Sequence, residues 1–248
     1  MNKKDQLAII QQHYPDAITT ADTVNVLVNF VEESLHVEPA QVLLADSICS
    51  DDVNSIQYPI QNSAFLGPFK LGGLDGIPFT GLTGMGAFAS HVPDKGAVFI
   101  YYGPHIGVPK EGALGEILRF GQHKNSGSCG AAKGALAKLT NDTITEGNVN
   151  DADYQMNTIE QLLLKNKERI LQAATPLQEA TEVIYETIDG RIQELVAKTN
   201  YNCQYVILMG VILINGDRDM GSFNAIRRFD VINVATQERK DLKSGYFS

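Results

Sequence analysis

The sequence predicts an α/β fold, a mainly parallel central sheet flanked by helices. Short, continuously apolar runs at 42–48, 97–102 and 205–214 have the character of strands buried on both faces. Segments with apolar residues at helical spacing lie between them, as a sheet with helices on its faces requires. A chain of 248 residues, 44% hydrophobic and 20% charged, can bury about 70% of its extended surface, enough for a single domain over 1–248.

The elements follow in order. Residues 1–38 read as N-terminal helices: Thr20-Ala21-Asp22 starts one that sets Val24, Leu27, Val28, Val31 and Leu35 on one face. Residues 39–140 form a core in which strand ends meet polar loops. The run 42–48 exits into Cys49-Ser50-Asp51-Asp52, and 97–102 stops at Gly103-Pro104-His105. Between them the glycine-dense stretch 67–90 allows close backbone approach, with 79–90 able to form a closely packed helix. A third short strand is expected at 116–120, and Ser126-Gly127-Ser128-Cys129-Gly130 opens an Ala/Lys/Leu-rich helix at 131–139, which puts Cys129 at a helix N-terminus. Residues 151–198 read as a helical pair broken near Thr175-Pro176, used for packing or as a subunit interface. C-terminal strands occupy 201–236, the first buried and the second, 229–234, half-exposed.

Charge and cysteine usage narrow the function. Twenty Lys and Arg against 29 Asp and Glu give a net charge of −9, which repels phosphate backbones, so no nucleic-acid partner is expected. The basic residues Arg227, Arg228, Arg239, Lys240 and Lys243 are interrupted by Asp230, Glu238 and Asp241 and read as a solvated surface. Three scattered cysteines make no disulfide scaffold and point to a reducing, cytoplasmic setting. No apolar run approaches a membrane span or a signal peptide, so no membrane partner is expected.

Strand ends in an open α/β sheet deliver side chains to a common crevice. Here they deliver Cys49 with Asp51, then His105, then Arg119 followed by Cys129. Two thiolates and an imidazole suit Zn²⁺ and leave a fourth tetrahedral position open. The bland readings stand beside this one: buried cysteine is common in cores, and no Cys-x-x-Cys or His-Glu-x-x-His fixes a ligand set. His91, at an expected helix end, competes with His105 for a ligand role or simply caps carbonyls, and Cys203 reads as core. A thiol enzyme remains open too, with Cys49 or Cys129 as nucleophile, His105 as base and Asp51 orienting it. No dinucleotide fingerprint or P-loop is present.

Several segments resemble a known family: Cys49-Ser50-Asp51-Asp52-Val53-Asn54, Leu71-Gly72-Gly73-Leu74-Asp75-Gly76-Ile77-Pro78-Phe79, Gly84-Met85-Gly86-Ala87-Phe88, Ser90-His91-Val92-Pro93-Asp94-Lys95-Gly96, Tyr102-Gly103-Pro104-His105-Ile106-Gly107 and Cys129-Gly130-Ala131-Ala132. In this order they resemble the limiting-CO2-inducible protein B/C family, whose algal members include theta-class carbonic anhydrases. The resemblance implies a fold similar to β-carbonic anhydrases, a zinc held by Cys49, His105 and Cys129, reversible hydration of CO2 to bicarbonate, and a homodimer. It implies a catalytic Asp51 paired with an arginine. In β-carbonic anhydrases that arginine follows closely, but Val53 occupies the place here, so Arg119 is expected to serve, with Arg227 and Arg228 as fallbacks. His91 or His123 would be candidate proton shuttles, and Ile77, Phe79 and residues 84–88 an apolar pocket wall. A non-catalytic zinc-binding CO2 or bicarbonate sensor, or a partner-binding subunit, is the alternative the same resemblance allows.

Overall fold

The computed structural model describes residues 3–56 and 64–247. The chain opens with helix α1 (Lys3–Ile10), a short strand β1 (Ala17–Thr19) and helix α2 (Thr20–Asn29), whose last turn continues as a π-turn over Phe30–Ser34. Thr19 caps α2 by accepting from the Asp22 N–H at 3.1 Å, so the helix begins at the predicted Thr-Ala-Asp signal. Strand β2 (Val42–Ser47) leads through helix α3 (Asp52–Ile56) to strand β3 (Leu66–Lys70), helix α4 (Gly81–Ser90) and strands β4 (Ala97–Tyr102) and β5 (His105–Gly107). Two-residue strands β6 (Glu116–Ile117) and β7 (Ser126–Gly127) pair with each other and precede helix α5 (Gly130–Thr140). Helices α6 (Tyr154–Lys165), α7 (Lys167–Gln172) and α8 (Pro176–Ala197) lead to strands β8 (Tyr205–Asn215), β9 (Ser222–Asn233) and β10 (Arg239–Asp241) and the closing helix α9 (Lys243–Tyr246).

The main sheet runs β1-β9-β8-β4-β2-β3, with β10 beside β9 and β5 continuing β4 along β8. Strands β3, β2, β4, β5 and β8 are parallel; β9 is antiparallel to β8, and β1 and β10 are antiparallel to β9. The α/β class and its mainly parallel centre are therefore as the buried apolar runs predicted. Alternation within β4 explains why such a run is needed: Val98, Ile100 and Tyr102 enter the core beneath α5, α6 and α8, while Ala97, Phe99 and Tyr101 enter the one beneath α2.

Three features differ from the sequence reading. The short strand β1 and the edge strand β3 were not foreseen, because three to five residues of mixed polarity carry no periodic signal. The expected strand at 116–120 is only two residues long, since past Ile117 the chain leaves the pairing with β7, the Leu118 N–H going to Asp217 and the Arg119 side chain to Asp51. The helical pair at 151–198 is three helices, with breaks at Asn166 and Thr175. Helix α8 lies on the sheet, with Ile184, Ile188 and Ile192 completely buried.

Two backbone details decide which candidate residues meet and which do not. At Gly103, between β4 and β5, φ is 151° and a Cβ would lie 1.8 Å from the Val211 carbonyl oxygen, so only glycine lets the chain hug β8 and carry on to His105. In β9 the pairing with β8 shifts beside Gly210 and Val211, and the extra residue turns Arg227 and Arg228 toward α8. They bind Glu182 and Asp189 there.

Candidate metal centre

The crevice beyond the carboxyl ends of β2 and β4 gathers the side chains that the sequence singled out. Cys49 lies two residues past β2, His105 opens β5, and Cys129 is the N-cap residue of α5. Their ligand atoms all lie within 4.8 Å of one another, and all three residues are buried. His105 is thus the histidine of the cluster. His91 sits at the end of α4, its N–H on the Phe88 carbonyl oxygen and its ring 6.2 Å from that of Phe69. Cys203 is apart from the cluster and half-buried, its thiol directed to the Tyr205 carbonyl oxygen.

Backbone hydrogen bonds knit the three segments together. The Gly107 N–H donates to the Ser128 carbonyl oxygen at 2.7 Å, and the Ser128 N–H donates to that of Gly115 at 2.9 Å, locking the residue before Cys129 against the strand that bears His105. Asn215, at the end of β8, accepts at Oδ1 from His105 Nδ1 at 2.7 Å and from the Ser128 hydroxyl at 3.2 Å. Its amide donates to Asn54 Oδ1, and Asn54 in turn donates to the Cys49 carbonyl oxygen. An Nδ1 that donates to Asn215 leaves His105 Nε2 as the acceptor, and Nε2 is a buried nitrogen with no hydrogen-bond partner among the described residues.

That orphaned nitrogen tests the cluster for metal. The Sγ atoms of Cys49 and Cys129 are 3.9 Å apart, close to the about 3.8 Å between two thiolates on tetrahedral zinc, and both cysteines are free. Two sulfurs at this spacing and an imidazole with its ligating lone pair unused fit a zinc ion. Cys49 is held well below the ordinary thiol range by a hydrogen bond from the Cys129 thiol, with His105 adding to the effect, while Cys129 is pushed up by the same bond and by burial. Burial works to lower the His105 pKa, but the Cys49 sulfur and its charge beside the ring outweigh this and lift it to about 9.

Asp51 and Arg119 stand at the rim. The guanidinium grips the carboxylate with two bonds, Nη1 to Oδ1 at 2.6 Å and Nη2 to Oδ2 at 2.8 Å. It also donates to Asp52 Oδ1, the Gly127 carbonyl oxygen and Ser126 Oγ. Arg119 is aimed by Asp217, whose carboxylate accepts from the Leu118 N–H at 2.8 Å. Burial works to raise the Asp51 pKa, yet Arg119 overrides it and holds the carboxyl at about 2. Asp51 Oδ2 lies 3.9 Å from His105 Nε2, so the ionised oxygen is directed at the cluster. The structure brings Cys49, Asp51, His105, Arg119 and Cys129 together and leaves Arg227 and Arg228 with α8.

Sequence reading assigned no role to Asn54, Ser128, Asn215, Asp217 or Asp75. Asn215 carried a usable signal, a polar residue at the exit of a buried apolar strand; Asn54 sits in the one-turn helix α3 and the others in short irregular segments, none with a periodic pattern. Asp75, in the glycine turn before α4, is fully buried beside the cysteines, and burial, with the Cys49 charge, pushes its carboxyl up to about 7.

The fold and the sequence have counterparts in known proteins. A family model described as limiting CO2-inducible proteins B/C beta carbonic anhydrases matches residues 18–233. The crystal structure of PtLCIB4, a homolog of the limiting CO2-inducible protein LCIB, superposes with a TM-score of 0.83 at 27% identity, over 95% of this chain and 98% of that one. A histidine-to-alanine mutant of PtLCIB4 gives the same TM-score, 0.83, at 26% identity, over 96% and 98%. LCIB itself, 19% identical over 93% and 95% with a TM-score of 0.67, shares the fold. Among curated protein sequences none matches. With the family pattern spanning most of the sequence and the Cys-His-Cys cluster at the strand ends, this chain belongs to the limiting CO2-inducible protein B/C family of β-carbonic anhydrases.

Proposed function

We propose that the protein is a zinc-dependent carbonic anhydrase that interconverts CO2 and bicarbonate. The observation that carries this reading is one arrangement: three ligand atoms within 4.8 Å, beside a carboxylate that a bidentate arginine keeps ionised. Cys49, His105 and Cys129 would hold the zinc, which supplies Lewis acidity that makes water nucleophilic near neutral pH. The chain's own residues do the rest. Asn215 fixes the His105 tautomer so that Nε2 faces the cluster. Arg119 holds both oxygens of Asp51, which keeps that carboxylate from swinging inward and leaves Oδ2 to accept a hydrogen bond from the attacking water, turning its lone pair toward CO2.

Further parts of the reading follow. A homodimer is the proposed assembly, as twofold oligomers are the commonest. A cytoplasmic setting is proposed from the three free cysteines. No helix among the described residues is long and apolar enough to cross a membrane.

The test is stopped-flow CO2 hydration on protein whose zinc has been counted, with Cys49→Ala as control. About one zinc per chain and a rate above buffer, both lost in the control, is the expected result. Stoichiometric zinc without rate from pH 6.5 to 8.5 would replace the enzyme by a zinc-binding sensor or subunit. A metal-free protein silenced by thiol alkylation would replace it by a cysteine hydrolase.

A further inference from the structure

A carboxylate sits in the metal pocket that neither the ligand set nor the Asp51–Arg119 pair uses. Asp75 is 1% exposed, and among the described residues neither of its carboxylate oxygens has a hydrogen-bond partner. Its neighbours are the candidate ligands. Its own N–H donates to Cys49 Sγ at 3.1 Å, and Cys49, His105 and Cys129 are side chains that act on its carboxylate. The backbone holding it there is left-handed, with φ 54°, and the next residue, Gly76, lies so close to the Gly103 carbonyl oxygen that a Cβ would come within 2.4 Å of it. The turn is thus pinned against the β4–β5 link that delivers His105.

A buried carboxylate is costly unless a cation balances it, and among the described residues the charges that act on Asp75 are those of Cys49 and His105, with no lysine or arginine beside it. With both thiols ionised, Cys49, Cys129 and Asp75 carry three formal negative charges, of which a bound dication leaves one and a monocation two. The remaining charge lies at the N-terminus of α5, where helix N–H groups favour it.

Resting on the metal-centre reading above, we propose that Asp75 is a third anionic group of that centre, beside the two thiolates, a positioning residue whose charge is balanced when a divalent ion binds. Its consequence is selectivity: the pocket favours zinc over a thiophilic monocation such as Cu(I), which two thiolates and an imidazole would otherwise accept.

Two variants of the full chain test this. Asp75→Asn keeps the size and the tolerance of left-handed backbone while removing the charge, and Asp75→Gly removes the side chain at no steric cost. Zinc and Cu(I) affinities are measured by chelator competition at pH 8 under anaerobic conditions, and metal-free melting temperatures alongside. Each variant is expected to bind zinc at least tenfold more weakly, with a smaller loss for Cu(I). Metal-free Asp75→Asn is expected to melt no lower than metal-free wild type at pH 8, because the variant has lost a buried carboxylate that faces the Cys49 charge. Unchanged zinc affinity in a folded variant overturns the proposal. So does an equal loss for both metals with a lower metal-free melting temperature, or failure of both variants to fold in the presence of zinc; either makes Asp75 a framework residue. Wild-type protein that binds no zinc sinks the metal-centre reading itself, a failure visible before any substitution is made.

Discussion

Arg119 shows how much chemistry rests on one planar side chain. Its fork engages both oxygens of Asp51, and its remaining donors reach Asp52, Gly127 and Ser126, so the guanidinium is fixed from several sides at 14% exposure. A lysine keeps the charge but presents a single ammonium on a flexible stem and cannot reproduce two parallel bonds. Arg119→Lys is therefore expected to retain zinc while CO2 hydration falls about tenfold or more, read by metal content beside stopped-flow rates. Loss of zinc in that variant would make Arg119 a structural strut of the ligand loops instead. The resemblance to β-carbonic anhydrases pointed to an arginine partner for Asp51 and the sequence offered three; distances single out Arg119, 68 positions away.

Helix α8 and strand β9 show how charge is managed between elements. Arg228 binds Asp189 through Nε and Nη2 at 2.7 and 2.9 Å, and the Tyr102 hydroxyl donates to Asp189 Oδ1 at 2.6 Å. Burial works to raise the Asp189 pKa, but Arg228 and Tyr102 hold the carboxyl below its usual value. A carboxyl depressed in the folded state contributes stability that is present above its unfolded pKa, about 3.9, and is lost as pH falls through the folded value. Asp189→Asn is expected to cost about 1–3 kcal/mol near pH 7 in urea unfolding, with the gap to wild type closing below about pH 4. A gap that stays constant with pH would mean that packing, not charge, carries the effect. Gly210 lies beneath this cluster, where a Cβ would press on the Tyr185 hydroxyl and the Tyr102 ring, so α8 owes its close seat on the sheet to a residue without a side chain.

The whole molecule couples folding to the site, because the candidate ligands come from three segments that only the completed sheet brings together. A metal that binds the folded chain and not the unfolded one stabilises it by about 2.7 kcal/mol at a hundredfold excess over its dissociation constant. Chelation is then expected to lower Tm by about 5–10 °C, recovered on adding zinc and absent in Cys49→Ala, as followed by calorimetry. A melting curve indifferent to chelator would argue that the cluster holds no metal.

Local chemistry was legible in the sequence where it repeats or punctuates. Continuous apolar runs wrote out β2, β4 and β8, a Thr-Ala-Asp start wrote α2, and Cys49, His105 and Cys129 were marked by their places at strand exits and a helix start. Edge strand β3, the split of the helical pair and the two-residue strands carried no such period. The site needed more than local signals. That the sulfurs of Cys49 and Cys129 stand 3.9 Å apart across 80 residues, that Arg119 and not Arg227 or Arg228 meets Asp51, and that Asp75 is buried beside them all depend on strand order, on the glycine link at 103 and on the bulge in β9. Propensity and periodicity act over a few residues and fix the elements; juxtaposition over tens of residues follows from which faces must be buried together, and that is settled when the sheet closes.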